Sequence, residues 1–285
     1  MSREQTIERA ERYFDDGEFF ADLARRVAVP TESQNPERGA DLRRYLAAEM
    51  QPSFARLGFA CRILENPKDA GPFLLAERIE DPALVTVFSY GHGDVIRGQE
   101  HAWFAGLDPW KLKRDGDRLY GRGTADNKGQ HTINLAAMAA AIETRGRLGF
   151  NLKVLIETGE EVGSPGLREL CSENKNLMKA DVLIASDGPR LSPGRPTIYL
   201  GTRGALNMDL VVDLRAGGHH SGNWGGLLAN PGIILAHALA AITGPKGEIN
   251  VPEWRPNTLT GAVRSTWTSW WTCAQAATTR ATGGV

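Results

Sequence analysis

Apolar positions recur every three to four residues over the first stretch of the chain. Between Arg3 and Val29, Ile7, Ala10, Tyr13 and Phe14 share one face, and Phe20, Leu23 and Ala24 continue it beyond Gly17. That period predicts an amphipathic helix broken at the glycine. Pro30 ends it, and Ser33–Pro36 reads as a loop. A second helix is predicted over Gly39–Leu57. Shorter apolar runs follow, and Ala60–Glu65, Phe73–Ile79 and Leu84–Tyr90 read as strands. The last of them, LVTVFSY, is apolar and β-branched, as a strand buried on both faces should be.

Gly91–Gly123 has no apolar period and is predicted to be a long polar loop, of the kind that carries function in compact domains. An alanine-rich helix is predicted over Lys128–Arg145, a buried strand over Asn151–Glu157, a short helix near Gly166–Asn174 and a strand over Asp181–Ala185. Strands alternating with helices imply an α/β fold: a mostly parallel sheet, right-handed crossovers and flanking helices. The pattern changes after Pro196. Ala205–Leu214 alternates as a half-buried strand, and a glycine-rich loop leads to a helix over Pro231–Ile242. That is the expected opening of a smaller α+β domain. The expected domains are therefore 1–196, 197–263 and an atypical tail, 264–285. The tail is rich in Trp and Thr, and no acidic residue follows Glu253. It reads either as sequence out of character with the rest, as a shifted frame would give, or as a Thr-rich β-segment.

Composition narrows the function classes. The 285 residues are 41% apolar with a formal net charge of −1, so there is no electrostatic case for nucleic acid or an anionic membrane as partner. Cys61, Cys171 and Cys273 lie far apart and form neither a metal knuckle nor a disulfide framework. The charged start has no apolar leader core, and no apolar run reaches the length of a membrane span. The expected location is the cytoplasm.

The candidate chemistry sits where the apolar strands stop. LVTVFSY runs into Gly91-His92-Gly93-Asp94, NLKVLIET into Gly159-Glu160-Glu161, and DVLIAS into Asp187-Gly188-Pro189. GRGTADNKG places Asp126 just before the alanine-rich helix. Loops at the carboxyl ends of parallel strands share one edge of the sheet, so His92, Asp126, Glu160, Glu161 and Asp187 can converge. Several carboxylates gathered around one imidazole repel each other unless cations neutralise them. Such a donor set suits zinc, manganese or cobalt.

In order and spacing, GHGDV, GRGTADNKG, TGEEVGSPG and SDGP resemble the successive motifs of the M20 metallopeptidases, and the helix followed by VPTES resembles that family's start. The resemblance covers about residues 1–262. It implies hydrolysis of amide bonds in small peptides or N-acyl amino acids, with two divalent ions, zinc before manganese or cobalt. His92 and Asp187 would hold one ion, Asp126 would bridge, and Glu161 would hold the other. The family's peptide bond after the bridging aspartate is often cis. Glu160 would be the general base, and Asp94 would orient the imidazole of His92. Gly218-His219-His220-Ser221-Gly222 resembles the motif of the family's lid and dimerisation domain, where His220 would polarise the scissile carbonyl, often from the partner of a homodimer. The family's fifth ligand is a downstream histidine. None follows His237, so the chain is expected to be cut short before that ligand, its catalytic and lid domains both incomplete. A paralogue that binds metal, ligand or partner without turnover is the alternative reading.

Each residue also has a plainer reading. Asp126 can be a helix cap, Asp187-Gly188 a turn, and His220 and Asp94 loop residues. His101 and His131 are expected on a surface or helix face, His237 as a packing or surface residue, and Trp103 and Trp110 in the core before a cleft. The cysteines read as buried thiols.

Overall fold

The computed structural model describes residues 3–188, 194, 197–198, 209–214 and 218–254. The chain divides into two compact units, Met1–Thr197 and Ile198–Val285.

The first unit begins with α1 (Arg3–Asp15) and α2 (Glu18–Val27). Gly17 separates them at φ 83°, a conformation open to glycine at little cost. A continuous helical run follows where one was predicted: α3 (Gly39–Arg44), a wider π-type turn (Tyr45–Met50) and α4 (Gln51–Arg56). The wide turn ends beside Pro52, which has no amide hydrogen to give the helical ladder.

The strands are β1 (Ala60–Leu64), β2 (Phe73–Arg78), β3 (Thr86–His92), β4 (Lys113–Asp115), β5 (Arg118–Tyr120), β6 (Asn151–Glu157) and β7 (Val182–Ala185). Five of them form one sheet in the order β1-β2-β6-β3-β7. β3 lies parallel to both β6 and β7, whereas β2 is antiparallel to both β1 and β6. The α/β class therefore holds, but the sheet is mixed, not mostly parallel. The link from β1 to β2 spans only 65–72, too short for the crossover that parallel neighbours require. The predicted loop Gly91–Gly123 includes the end of β3, a short 3-10 turn (Glu100–Ala102) and the whole β4–β5 pair.

α5 (Lys128–Arg145) packs on one face of the sheet with α1 and α2 beside it. Leu135 of α5 joins Tyr45, Leu46, Leu74, Val154 and Ile156 in the larger core. The other face buries Phe73, Leu75, Phe88 and Leu155 against Leu170 of α6 (Leu167–Glu173). Full burial of each large apolar side chain contributes roughly 1.5–3 kcal/mol. All seven residues of β6 are buried. Its one lysine is accommodated because Lys153 Nζ donates to Leu177 O (2.7 Å) and Lys179 O (3.0 Å), at the end of α7 (Lys175–Met178).

In the second unit, α8 spans Ser221–Trp224 and α9 spans Pro231–Ile242, the predicted range. The Asn230 side chain caps α9 by accepting from the amides of Gly232 and Ile233. The predicted strand Ala205–Leu214 falls partly outside the described residues, and 209–214 carry no strand. The tail 264–285 lies outside them entirely, and Cys273 with it. Among the described residues, no helix is long and apolar enough to cross a membrane.

Candidate metal centre

β3, β6 and β7 run in the same direction, so their carboxyl ends meet at one rim of the sheet. His92 is the last residue of β3 and pairs in register with Glu157, the last of β6. Its ring is fully buried, and Nε2 lies 2.8 Å from Asp126 Oδ1 and 4.0 Å from Asp187 Oδ2. Each of these residues offers one donor atom, and the three atoms lie within 4.8 Å of one another. The same spacing holds for His92, Glu160 and Glu161. The four carboxylates singled out as ligands or base thus gather around one imidazole. Glu160 and Glu161 are half-buried on a 3-10 turn (Glu160–Val162), and Asp187 lies two residues beyond the end of β7.

Local sequence explains why these groups meet. The Asp126–Asn127 peptide bond is cis, and Asn127 is fully buried. Its Oδ1 accepts the amide of His92 (3.3 Å) and its Nδ2 donates to Ser186 O (2.7 Å). One side chain therefore ties the end of β3 to the end of β7, with Asp126 and Asp187 adjoining the tie. A β-carbon on Gly91 would lie 2.8 Å from that Oδ1, too close for any residue but glycine. Lys128, also fully buried, donates from Nζ to Arg26 O (3.0 Å) and Val29 O (2.7 Å), anchoring the start of α5 to the end of α2. The VPTES segment lies alongside β3's exit: Thr31 Oγ1 donates to Gly93 O at 2.6 Å, and Val95 N donates to Thr31 O at 2.9 Å.

Asp94 is fully buried and serves two neighbours. Its main-chain oxygen lies 3.0 Å from His92 Nδ1 and its Oδ1 lies 3.4 Å away. The same carboxylate accepts the amides of Glu160 (3.2 Å) and Glu161 (3.1 Å).

The electrostatics follow from crowding acids around a buried base. Burial opposes charge on His92, but its bonds to Asp126 and Asp94 outweigh that and push the imidazole up to about 11. The same bond holds Asp126 below the usual carboxylate range. Burial, reinforced by Asp126, pushes Glu161 up to about 7. Burial also raises Glu160; His92 opposes this and Asp187 adds to it. A shared proton on His92 thus does part of the neutralisation that a divalent cation would do fully. One imidazole with several carboxylates is a donor set that fits zinc, manganese or cobalt.

His220 lies in the second unit, exposed, where its Nδ1 accepts the amide of Gly222 (3.1 Å) at the start of α8. His131 differs from expectation. It is buried on the inner side of α5, and its Nε2 is hydrogen-bonded to the hydroxyl of Tyr45. His101 and His237 are exposed. Trp103 and Trp110 are half-buried in the β3–β5 segment, and their ring N–H groups donate to Gly98 O (2.7 Å) and Glu100 Oε1 (2.8 Å). Cys61 and Cys171 are half-buried, not buried. Sequence reasoning missed Asn127, Lys128 and Glu157. The one usable signal was Glu157, an acid directly after the apolar run Val154-Leu155-Ile156.

Fold and rim together define an α/β protein with a donor set for divalent cations. The sequence model of Peptidase family M20/M25/M40 matches residues 88–283, well over half of the chain, and the chain belongs to that family. The match runs through the segment read above as an atypical tail. The Beta-Ala-His dipeptidase of Homo sapiens is 36% identical over 184 residues, covering 64% of this chain and 36% of that protein. The Cysteinylglycine-S-conjugate dipeptidase of Corynebacterium striatum is 37% identical over 158 residues, 55% of this chain and 33% of that protein. The chain thus spans about a third of the length of these relatives. The crystal structure of human carnosine dipeptidase 1 superposes with a TM-score of 0.69 at 27% identity, over 93% of this chain and 58% of that one.

Proposed function

We propose that the protein is a metal-dependent hydrolase of the amide bond in dipeptides and related small peptides or N-acyl amino acids. The observation that carries this reading is the convergence of Asp126, Asp187, Glu160 and Glu161 on the buried ring of His92. The names of the relatives, dipeptidases acting on β-Ala-His and on cysteinylglycine conjugates, favour dipeptides as the substrate class.

His92, Asp126 and Asp187 would hold one cation, and Glu161 with Asp126 would hold a second, zinc before manganese or cobalt. Such ions, when bound, supply Lewis-acid polarisation of a carbonyl and acidify a water. Every other role falls to the chain. Glu160 takes a proton from the attacking water as its oxygen bonds to the carbonyl carbon, and gives that proton to the amine as the C–N bond breaks. Burial raises Glu160 above an ordinary carboxylate, towards the working range of a general base. Asp94 holds both the imidazole and the Glu160–Glu161 turn. His220 would donate to the carbonyl oxygen as negative charge develops there. It would do so from a lid unit that also pairs two copies of the chain.

The test is hydrolysis of a dipeptide panel that includes β-Ala-His and Cys-Gly, after chelation and after return of zinc, manganese or cobalt. Activity should vanish on chelation and return with metal, and Glu160→Gln should lower kcat by about 10²–10⁴-fold. Hydrolysis indifferent to chelator, or equal in Glu160→Gln, would overturn the reading.

A further inference from the structure

Glu157 has no part in the ligand set or the proton path, yet it is completely buried beside them. Its Oε1 accepts two hydroxyls, Tyr90 from β3 and Ser164 Oγ at 3.0 Å from the far side of the Glu160–Glu161 turn. Its main-chain oxygen accepts the amide of Gly93 at 2.8 Å, between His92 and Asp94. The turn also closes on itself: Ser164 N donates to Gly159 O (2.8 Å) and Gly163 N to Glu160 O (2.8 Å). Ser164 stands at φ 51°, a backbone state that a serine holds only when its surroundings fix it. The Ser164–Glu157 bond is the contact that ties this residue to the sheet.

The segment 159–164 is therefore gripped at both ends by buried carboxylates from neighbouring strand ends. Asp94 takes the amides of Glu160 and Glu161, and Glu157 takes the hydroxyl of Ser164. We propose that the Tyr90–Glu157–Ser164 chain is a positioning device that sets the register of the Glu160–Glu161 turn against His92, and through it the cation affinity of the centre. Tyr90 links the device to the strand that carries His92, so imidazole and glutamates are referred to one frame. The proposal rests on the metal reading above for its affinity consequence, and on hydrogen bonding alone for its positional one.

Both consequences can be measured on the full chain. Glu157→Leu removes the acceptor. Glu157→Gln keeps one acceptor oxygen for the two hydroxyls. Ser164→Gly removes the hydroxyl while suiting the positive φ, so no backbone strain is introduced. Cobalt affinity is read by competition with a chromophoric chelator together with the visible cobalt spectrum, and amide hydrogen exchange is read for peptides over 159–164. Glu157→Leu and Ser164→Gly should bind cobalt about 10–100-fold more weakly, the usual effect of losing a group that orients a ligand, and Glu157→Gln should stay within about threefold of the parent. Exchange over 159–164 should speed about tenfold or more in the two disruptive variants, with peptides from α5 unchanged. If Glu157→Leu does not fold, Ser164→Gly carries the test. Parent-like exchange in Ser164→Gly overturns the proposal, as does parent-like cobalt binding with an unchanged spectrum. A parent that binds no cobalt sinks the metal reading instead, and hydrogen exchange still decides the positioning role.

Discussion

Asp94 accepts the amide of Glu161 at 3.1 Å through the carboxylate that also stands 3.4 Å from His92 Nδ1. One buried side chain thereby joins two groups that arrive from different strands and lie far apart in sequence. Centres built from separate strand ends need such ties, because a ligand displaced by an ångström binds poorly.

Asp94→Asn should expose this dependence. An asparagine offers one acceptor oxygen, and its amide nitrogen would face either a backbone N–H or the imidazole. Metal affinity should fall about 10–100-fold. Stability should fall by roughly 1–3 kcal/mol for the buried donor left unpaired. Calorimetric metal titration and urea unfolding measure the two effects, and parent-like values in both would contradict the role.

Hydrogen bonding at His92 and burial at Glu161 imply a pH dependence with a definite sign. His92, held up to about 11, sits above its unfolded value of about 6.5, so its contribution to stability is full below that and is lost as pH rises through about 11. Glu161, at about 7, sits above its unfolded value of about 4.3, so its contribution is full below that and is lost as pH climbs through about 7. Chelated protein should therefore become less stable through these two groups as pH rises, and cation binding should release protons. Melting from about pH 5 to about pH 9 with chelator, and metal calorimetry in buffers of different ionisation enthalpy, test both signs. Metal binding with no proton release near pH 6 would contradict this account.

Gly93→Ala should be felt in the core. The added carbon would lie 2.6 Å from the ring of Tyr45, which is fully buried and bonded to His131. Overpacking of this kind costs about 1–3 kcal/mol. Because Gly93 separates His92 from Asp94, metal affinity should fall as well. Urea unfolding that matches the parent would show that the ring moves aside freely.

Lys128→Met nearly conserves volume but removes the donor to Arg26 O and Val29 O. Two carbonyls at the end of α2 each lose one of two partners, Arg26 O keeping the amide of Val29 and Val29 O that of Thr31, at a cost of roughly 0.5–1.5 kcal/mol per bond. Thermal unfolding of chelated protein isolates this effect from any at the metal centre, and an unchanged midpoint would contradict it.

Much of this architecture was legible in the sequence. The predicted ranges of α5, β6 and α9 match the structure because each is an unbroken run of helix- or strand-forming residues with a clear boundary, such as Asn230-Pro231 at the start of α9. His92, Glu160, Glu161 and Asp187 were legible because they stand at or just beyond the ends of apolar strands, and Asp126 because it precedes α5. The direction of β2 was not, since a strand's own residues do not say which neighbour it pairs with. His131 was misread because an alanine-rich helix shows little contrast between its faces, and only the hydroxyl of Tyr45 reveals which side is inward. Asn127 and Lys128 act through partners distant in sequence, at Ser186, Arg26 and Val29.

The most direct test is an anomalous difference map from crystals of the full chain grown with zinc or cobalt. The account predicts a peak about 2.0–2.2 Å from His92 Nε2, in contact with the Asp126 and Asp187 carboxylates. A map with no peak at that imidazole, or with its strongest peak remote from these three residues, would contradict it.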